Sequence, residues 1–273
     1  MALLSKRWKV GWGLYLALRP LKRFESLTIF SRNELYWGCD TQNTLANKHV
    51  MIFGLGGVGG FCAEMLTRAG VGTLTIIDFD KVTPSNINRQ LIAMGSTIGQ
   101  KKTELFSVRL KDINPELNLN VIDDYYTGNM NEFLHDIAAD FIADAIDTMR
   151  PKIALLEWAH QNEVPIISSF GAGNRMDPTN LYICDISQVE ERNTPFTSNV
   201  LYRLRKKGIV EGITVVTSRE KPFSMEKVTL VENIVTKGGE EVEYAKIIPA
   251  STPFVASASG IFMASHIVKK LIC

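Results

Sequence analysis

Three observations predict the fold class: α/β, a Rossmann-like doubly wound and mostly parallel sheet with an antiparallel C-terminal extension. Residues 50–80, VMIFGLGGVGGFCAEMLTRAGVGTLTIIDFD, run from an apolar strand through a glycine turn and a helix to a second apolar strand ending in an acid, which is a βαβ unit. Further strands are expected over residues 119–123, 140–146 and 164–169, between helical stretches, as in an alternating α/β chain. The turn Asp177-Pro178-Thr179 then sends the next run, residues 181–185, back antiparallel.

In the first unit the strand covers residues 50–53, the helix runs to about Arg68 and the second strand covers 74–77. The turn between them reads G-x-G-x-x-G. Gly54 permits the tight bend, Gly56, with Gly57 beside it, lets a phosphate approach the backbone, and Gly59 lets the helix pack on the sheet. Free N–H groups at the helix start face an anion, and Asp78 stands where a ribose hydroxyl needs an acceptor. A nucleotide belongs here. The fingerprint does not choose which one, and the same glycines also serve tight packing without a ligand.

Composition sets the frame around that unit. The 273 residues are 45% hydrophobic and 22% charged, ordinary for a soluble globular chain, and a net charge of +1 gives no global attraction for polyanions. Nucleic-acid contact must then come from local patches. The four cysteines, Cys39, Cys62, Cys184 and Cys273, lie far apart with no C-x-x-C pair, which argues against structural zinc and a disulfide framework and fits a reducing, cytoplasmic compartment.

Residues 1–28 form a basic N-terminal arm and residues 29–273 the catalytic domain. The arm carries Lys6, Arg7, Lys9, Arg19, Lys22 and Arg23 against Glu25, and its uncharged run 10–18 is too short for a transmembrane segment. A helix packed on the domain, an organelle or membrane-surface targeting segment and a nucleic-acid-touching arm all fit it. Next, Arg32 follows Ser31 and precedes a short amphipathic helix, and residues 41–48 read as a connector.

After Asp78 and Asp80 comes the polar loop 81–90, with Asn86 and Arg89 three apart, where a nicotinamide enzyme would run directly into the next βα unit. Gly99-Gln100-Lys101-Lys102 opens a helix over 102–113 that closes at Asn114-Pro115. A strand over 119–123, a helix over 131–139 and a strand over 140–146 follow. Asp147 then lies where the carboxyl end of a parallel strand opens into the ligand crevice, or serves as a helix N-cap ahead of Pro151. For Arg89 and Lys102 the alternative is plain surface solvation.

GLGGVG, DFD, NINRQ, GQKK and DAIDT, in this order and spacing, resemble the ATP-dependent activating-enzyme superfamily, which includes ubiquitin-activating enzymes and the bacterial adenylators of sulfur-carrier proteins. The resemblance runs from Phe30 to the C-terminus. It implies that Asp78 binds ribose, that Asn86 and Arg89 contact ATP phosphates, that Lys102 contacts the triphosphate and that Asp147 is the Mg2+-side carboxylate. It also implies that Arg32 reaches the ATP of the other subunit in a homodimer. The residues agree with this chemistry: adenylation brings a carboxylate up to an α-phosphate, so arginine, lysine and a cation must offset the charge, and hydride transfer needs no such cluster.

Within the superfamily, residues 144–179 and 184–209 resemble the subgroup that acts on threonylcarbamoyladenosine in tRNA, whose members use ATP to cyclise the threonylcarbamoyl side chain. That resemblance implies tRNA as substrate and a sulfur-transfer protein as a further partner. Carrier-protein adenylators usually carry paired C-x-x-C zinc motifs in this half, and this chain has none. It also lacks the cysteine that the tRNA-cyclising subgroup often has near the strand that here spans residues 212–217.

The remaining elements are an amphipathic helix over about 197–206, a strand over 214–218, a loop or hairpin over 224–245, and a C-terminal helix within 249–272 whose small residues allow close packing. Arg203, Arg205, Lys206 and Lys207 end the amphipathic helix, either as a solvated, dipole-matched terminus or as phosphate contacts for tRNA. The function expected is ATP-dependent cyclisation of threonylcarbamoyladenosine through an acyl-adenylate. Adenylation of a carrier-protein C-terminus is the alternative in the same fold. A nicotinamide-binding oxidoreductase or a non-catalytic nucleotide-binding protein is the alternative from another class.

Overall fold

The fold is that of a computed structural model, which describes residues 27–126, 138–189, 194–223, 229–235, 241–247 and 249–273. Residues 1–26 of the basic arm, residues 131–137 of the expected helix and parts of the 224–245 segment lie outside the described residues.

Short helices α1 (Ser31–Trp37) and α2 (Cys39–Ala46) lead into β1 (His49–Phe53), α3 (Gly59–Ala69) and β2 (Thr73–Ile77). Two 3-10 turns, Pro84–Asn86 and Gly95–Thr97, then carry the chain to α4 (Lys102–Ile113), β3 (Asn118–Ile122) and β4 (Phe141–Asp144). Next come α5 (Met149–Gln161), β5 (Ile166–Ser169), β6 (Leu181–Asp185), α6 (Pro195–Lys206) and β7 (Thr214–Ser218). A separate antiparallel hairpin of β8 (Thr229–Val235) and β9 (Glu241–Ile247) precedes the last helix, α7 (Pro253–Ile272).

The main sheet has the order β3-β2-β1-β4-β5-β7-β6, with every pair parallel except β6 against β7. Apolar residues alternate between its faces. Val50, Ile52, Leu74 and Ile76 join the core under α3, α4 and α7, whereas Met51, Phe53 and Ile77 join the core under α5 and α6. Where both faces are buried, as in β1 and β4, the strands are nearly continuous in apolar residues, whereas the edge strand β3, NLNVI, is partly exposed.

The last helix is long and apolar enough to cross a membrane, yet its Val255, Ser259, Gly260, Met263 and Ile267 side is buried in the protein. A Cβ on Gly260 would sit 2.2 Å from the Val58 carbonyl oxygen, so the glycine is what lets α7 reach the start of α3.

Four local expectations change. Residues 41–48 are not a connector: most of them belong to α2, because Gln42 and Leu45 are buried there and Gln42 Nε2 donates to the Ala69 carbonyl at 3.2 Å. Tertiary contact thus overrides a polar, weakly helical sequence. Arg32 lies inside the first turn of α1 rather than ahead of it. The strand expected over 140–146 ends at Asp144, and Ala138 and Ala139 are not helical.

Candidate active site

The chain winds from β1 to β2 and β3 on one side, then crosses back to β4 and β5 on the other, so the topological switch point falls between β1 and β4. The glycine turn leaves β1 there, and residues 145–148 leave β4. The two loops touch: Gly54 has φ +89°, and a Cβ on it would meet the Ala145 carbonyl oxygen at 2.9 Å. A Cβ on Gly59 would lie 1.8 Å from the Gly54 carbonyl oxygen, whereas at Gly56 the nearest atom, from Gln90, is 3.8 Å away. Gly56 thus faces the open crevice, and Gly54 and Gly59 are required by packing. Gly57 is hemmed by Arg89 and Ala256.

Asp78 is 8% exposed at the end of β2. One carboxylate oxygen accepts the Leu55 N–H at 2.6 Å and the other accepts the Asp80 N–H at 2.8 Å, so the acid ties the glycine turn to the next loop. Lys102 is 4% exposed and is no surface lysine. Its ammonium donates to Asp80 at 2.7 Å and stands 3.8 Å from Asp78.

Burial raises the Asp78 pKa, and Lys102 only partly offsets this. The sign follows. A carboxylate whose folded pKa is raised contributes stability below its unfolded pKa and loses it as pH rises through the folded value. Asp78→Asn should therefore gain melting temperature relative to the parent as pH rises from about 4 to 7, while binding nucleotide more weakly. Melting curves and ATP titrations of the two chains check this; a stability gap that shrinks with rising pH contradicts it.

Asn86 is buried in its own turn, where its side-chain oxygen accepts the Thr83 N–H at 3.2 Å. Arg89 is half-buried and donates to the Ser85 carbonyl and to Asn88 Oδ1, each at 2.9 Å. Burial lowers its pKa, and the charge of Asp147, within electrostatic reach, opposes that shift. Asp147 is exposed, and the N-cap of α5 is Thr148, so the capping role does not hold for Asp147. Asp78, Asp80, Asn86, Arg89, Lys102 and Asp147 thus come together at the carboxyl ends of β1, β2 and β4.

The ThiF family model matches residues 30–272. This chain belongs to the ThiF family. It is 40% identical over 89% of its length to the tRNA threonylcarbamoyladenosine dehydratase of Bacillus subtilis, covering 94% of that protein. The Escherichia coli protein of the same name is 31% identical over 83% of this chain and 87% of its own. A crystal structure of E. coli tRNA N6-threonylcarbamoyladenosine dehydratase, TcdA, in complex with ATP superposes with a TM-score of 0.74 and 29% identity, covering 89% of this chain and 93% of that one.

Two sets of expected site residues lie away from this ThiF-family crevice within the chain. Arg32 is exposed on α1, whose neighbouring Asn33 donates to the Arg68 carbonyl at 2.9 Å, at the far end of α3. The 11 residues of α3 put roughly 16 Å between that end and the glycine turn. Arg203, Arg205, Lys206 and Lys207 end α6 shortly before β7 begins, so they stand at the amino end of the sheet. Lys207 pairs with Glu157 at 2.7 Å, Lys206 lies 4.6 Å from the Tyr202 ring, and Arg203 donates to Asn199 at 3.1 Å.

Two buried polar features escaped the sequence reading. Asp144 and Lys152 pair beneath the crevice. Gln90 is 8% exposed with an unpartnered side-chain oxygen. The signal for Gln90 was its place at the end of the NINRQ motif. For Lys152 it was a lone charge on an otherwise apolar helix face.

Proposed function

We propose that this chain is an ATP-dependent tRNA threonylcarbamoyladenosine dehydratase, which cyclises the threonylcarbamoyl side chain in the anticodon loop. The observation that carries the reading is the convergence of a buried lysine, a half-buried arginine and an exposed carboxylate on one glycine turn. Nearly full-length similarity to chains with that activity supports it.

The glycine turn and Asp78 hold the nucleotide by its phosphates and ribose. Arg89 and Lys102 offset the negative charge, and Asn86 contacts phosphate, as the threonyl carboxylate attacks the α-phosphate, forming the acyl-adenylate while pyrophosphate leaves. A nucleophile in the same modified side chain then attacks the acyl carbon, closes the ring and releases AMP. The protein's part is position and charge.

Among the described residues no group of three or more His, Cys, Asp or Glu could hold a metal. A lone exposed carboxylate such as Asp147 suits Mg2+, which is bound by one or two carboxylates and the substrate's own phosphates. When bound, the ion neutralises phosphate charge.

The same proposal takes the enzyme as a cytoplasmic homodimer in which Arg32 completes the partner's site, tRNA backbone as the ligand of the α6 basic cluster, and a sulfur-transfer protein as an added partner. Mass spectrometry of nucleosides from tRNA incubated with protein and ATP tests the activity. Loss of water from threonylcarbamoyladenosine, with pyrophosphate release, is expected. Pyrophosphate release with a carrier protein and none with tRNA returns the carrier-type alternative.

No enzyme thioester enters this route. Cys62 is buried and Cys184 partly so, and burial pushes both thiols up and away from the reactive thiolate. Cys39 and Cys273 are exposed. Replacing all four with serine or alanine should leave most of the ATP-dependent activity. A folded quadruple variant that binds ATP without turnover would overturn the route.

A further inference from the structure

Lys152 and Asp144 are both 0% exposed, and the ammonium donates to Asp144 Oδ2 at 2.6 Å. The same oxygen accepts the Ser168 hydroxyl at 2.6 Å, and Oδ1 accepts the Ile146 N–H at 3.0 Å. Lys152 makes a second bond, to the Ile146 carbonyl at 3.1 Å. One residue earlier, the Ala145 N–H donates to the Phe53 carbonyl at 2.9 Å. The backbone just before Asp147 is thus pinned from β1, from Asp144 and from α5.

Stability gives little reason for such a pair. Desolvating two charges costs about what their attraction returns, and apolar residues of similar volume often serve as well or better. What an apolar pair cannot do is bond the Ile146 carbonyl and, through Asp144, the Ile146 N–H. Resting on the adenylation reading, we infer that Lys152 is a positioning residue. Acting through Ile146 and Asp144, it holds the turn that aims Asp147 at the nucleotide phosphates, and it cancels the Asp144 charge beneath them.

The test is the charge-neutral double variant Asp144→Asn/Lys152→Met, with Lys152→Gln as a second variant that keeps a donor near Ile146. Each full chain is melted, titrated calorimetrically with ATP at stepped Mg2+ concentrations, and assayed for kcat and KM by pyrophosphate release. The double variant is expected to stay folded and to bind ATP without Mg2+ like the parent. Its Mg2+ requirement for ATP binding should rise and its kcat fall, each by about tenfold to a hundredfold, with KM for ATP little changed. Lys152→Gln keeps a donor near Ile146 but leaves the Asp144 charge uncompensated beneath the phosphates, so its losses should equal or exceed those of the double variant.

A folded double variant with the parent's Mg2+ profile and kcat overturns the inference. Failure of both variants to fold also overturns it, since the pair would then serve stability alone. An inactive parent on modified tRNA would instead count against the substrate reading and leave the Mg2+–ATP binding comparison intact.

Discussion

Arg89→Ala should keep its fold and lose about 2 to 4 kcal/mol of transition-state stabilisation in adenylation, roughly 30-fold to 1000-fold in kcat/KM. The fold survives because the side chain is only half-buried and its two partners, the Ser85 carbonyl and Asn88, are exposed loop groups that water can satisfy. The chemistry suffers because a charged donor is removed from the place where the pentavalent phosphorus gathers negative charge. The charge of Asp147 also acts on Arg89, so removing the arginine leaves that carboxylate's charge less opposed near the incoming anions. Pyrophosphate release kinetics and a melting curve check both halves. Unchanged turnover in a folded Arg89→Ala chain sinks the phosphate role.

Arg32→Ala and Asp78→Ala should each be nearly inactive alone and recover activity when mixed. Arg32 stands at the far end of α3 from its own glycine turn, with its neighbour Asn33 bonded to the Arg68 carbonyl. No side chain of that length crosses the roughly 16 Å of an 11-residue helix, so an arginine acting at an active site must act at another chain's. In a two-fold dimer the same surface serves both sites. After random exchange half of the dimers are mixed, and one site in each carries neither defect, so about a quarter of parental activity should return. No recovery in mixtures shown to exchange subunits would place Arg32 outside the site.

Much of the molecule follows from local signals in the sequence. The glycine turn, Asp78, the strands around it and the helix Lys102–Ile113 were all legible, because turn chemistry and apolar runs act over a few residues and each agrees with the next. The antiparallel turn-back of β6 and the C-terminal helix were legible for the same reason. The motif set also named the family, since its order along the chain survives without any knowledge of distances.

Only the tertiary structure decided what depends on strand order. Arg89 and Asp147 come within electrostatic reach of each other because the sheet switches direction between β1 and β4, which no local pattern records. A polar stretch became α2 because Gln42 found the end of α3. Lys152, a lone charge on the apolar face of its helix, proved to be fully buried against Asp144 once α5 folded back under the crevice. The basic end of α6 stands at the amino end of the sheet, away from the nucleotide crevice, because a helix that returns to a parallel strand must finish where that strand begins.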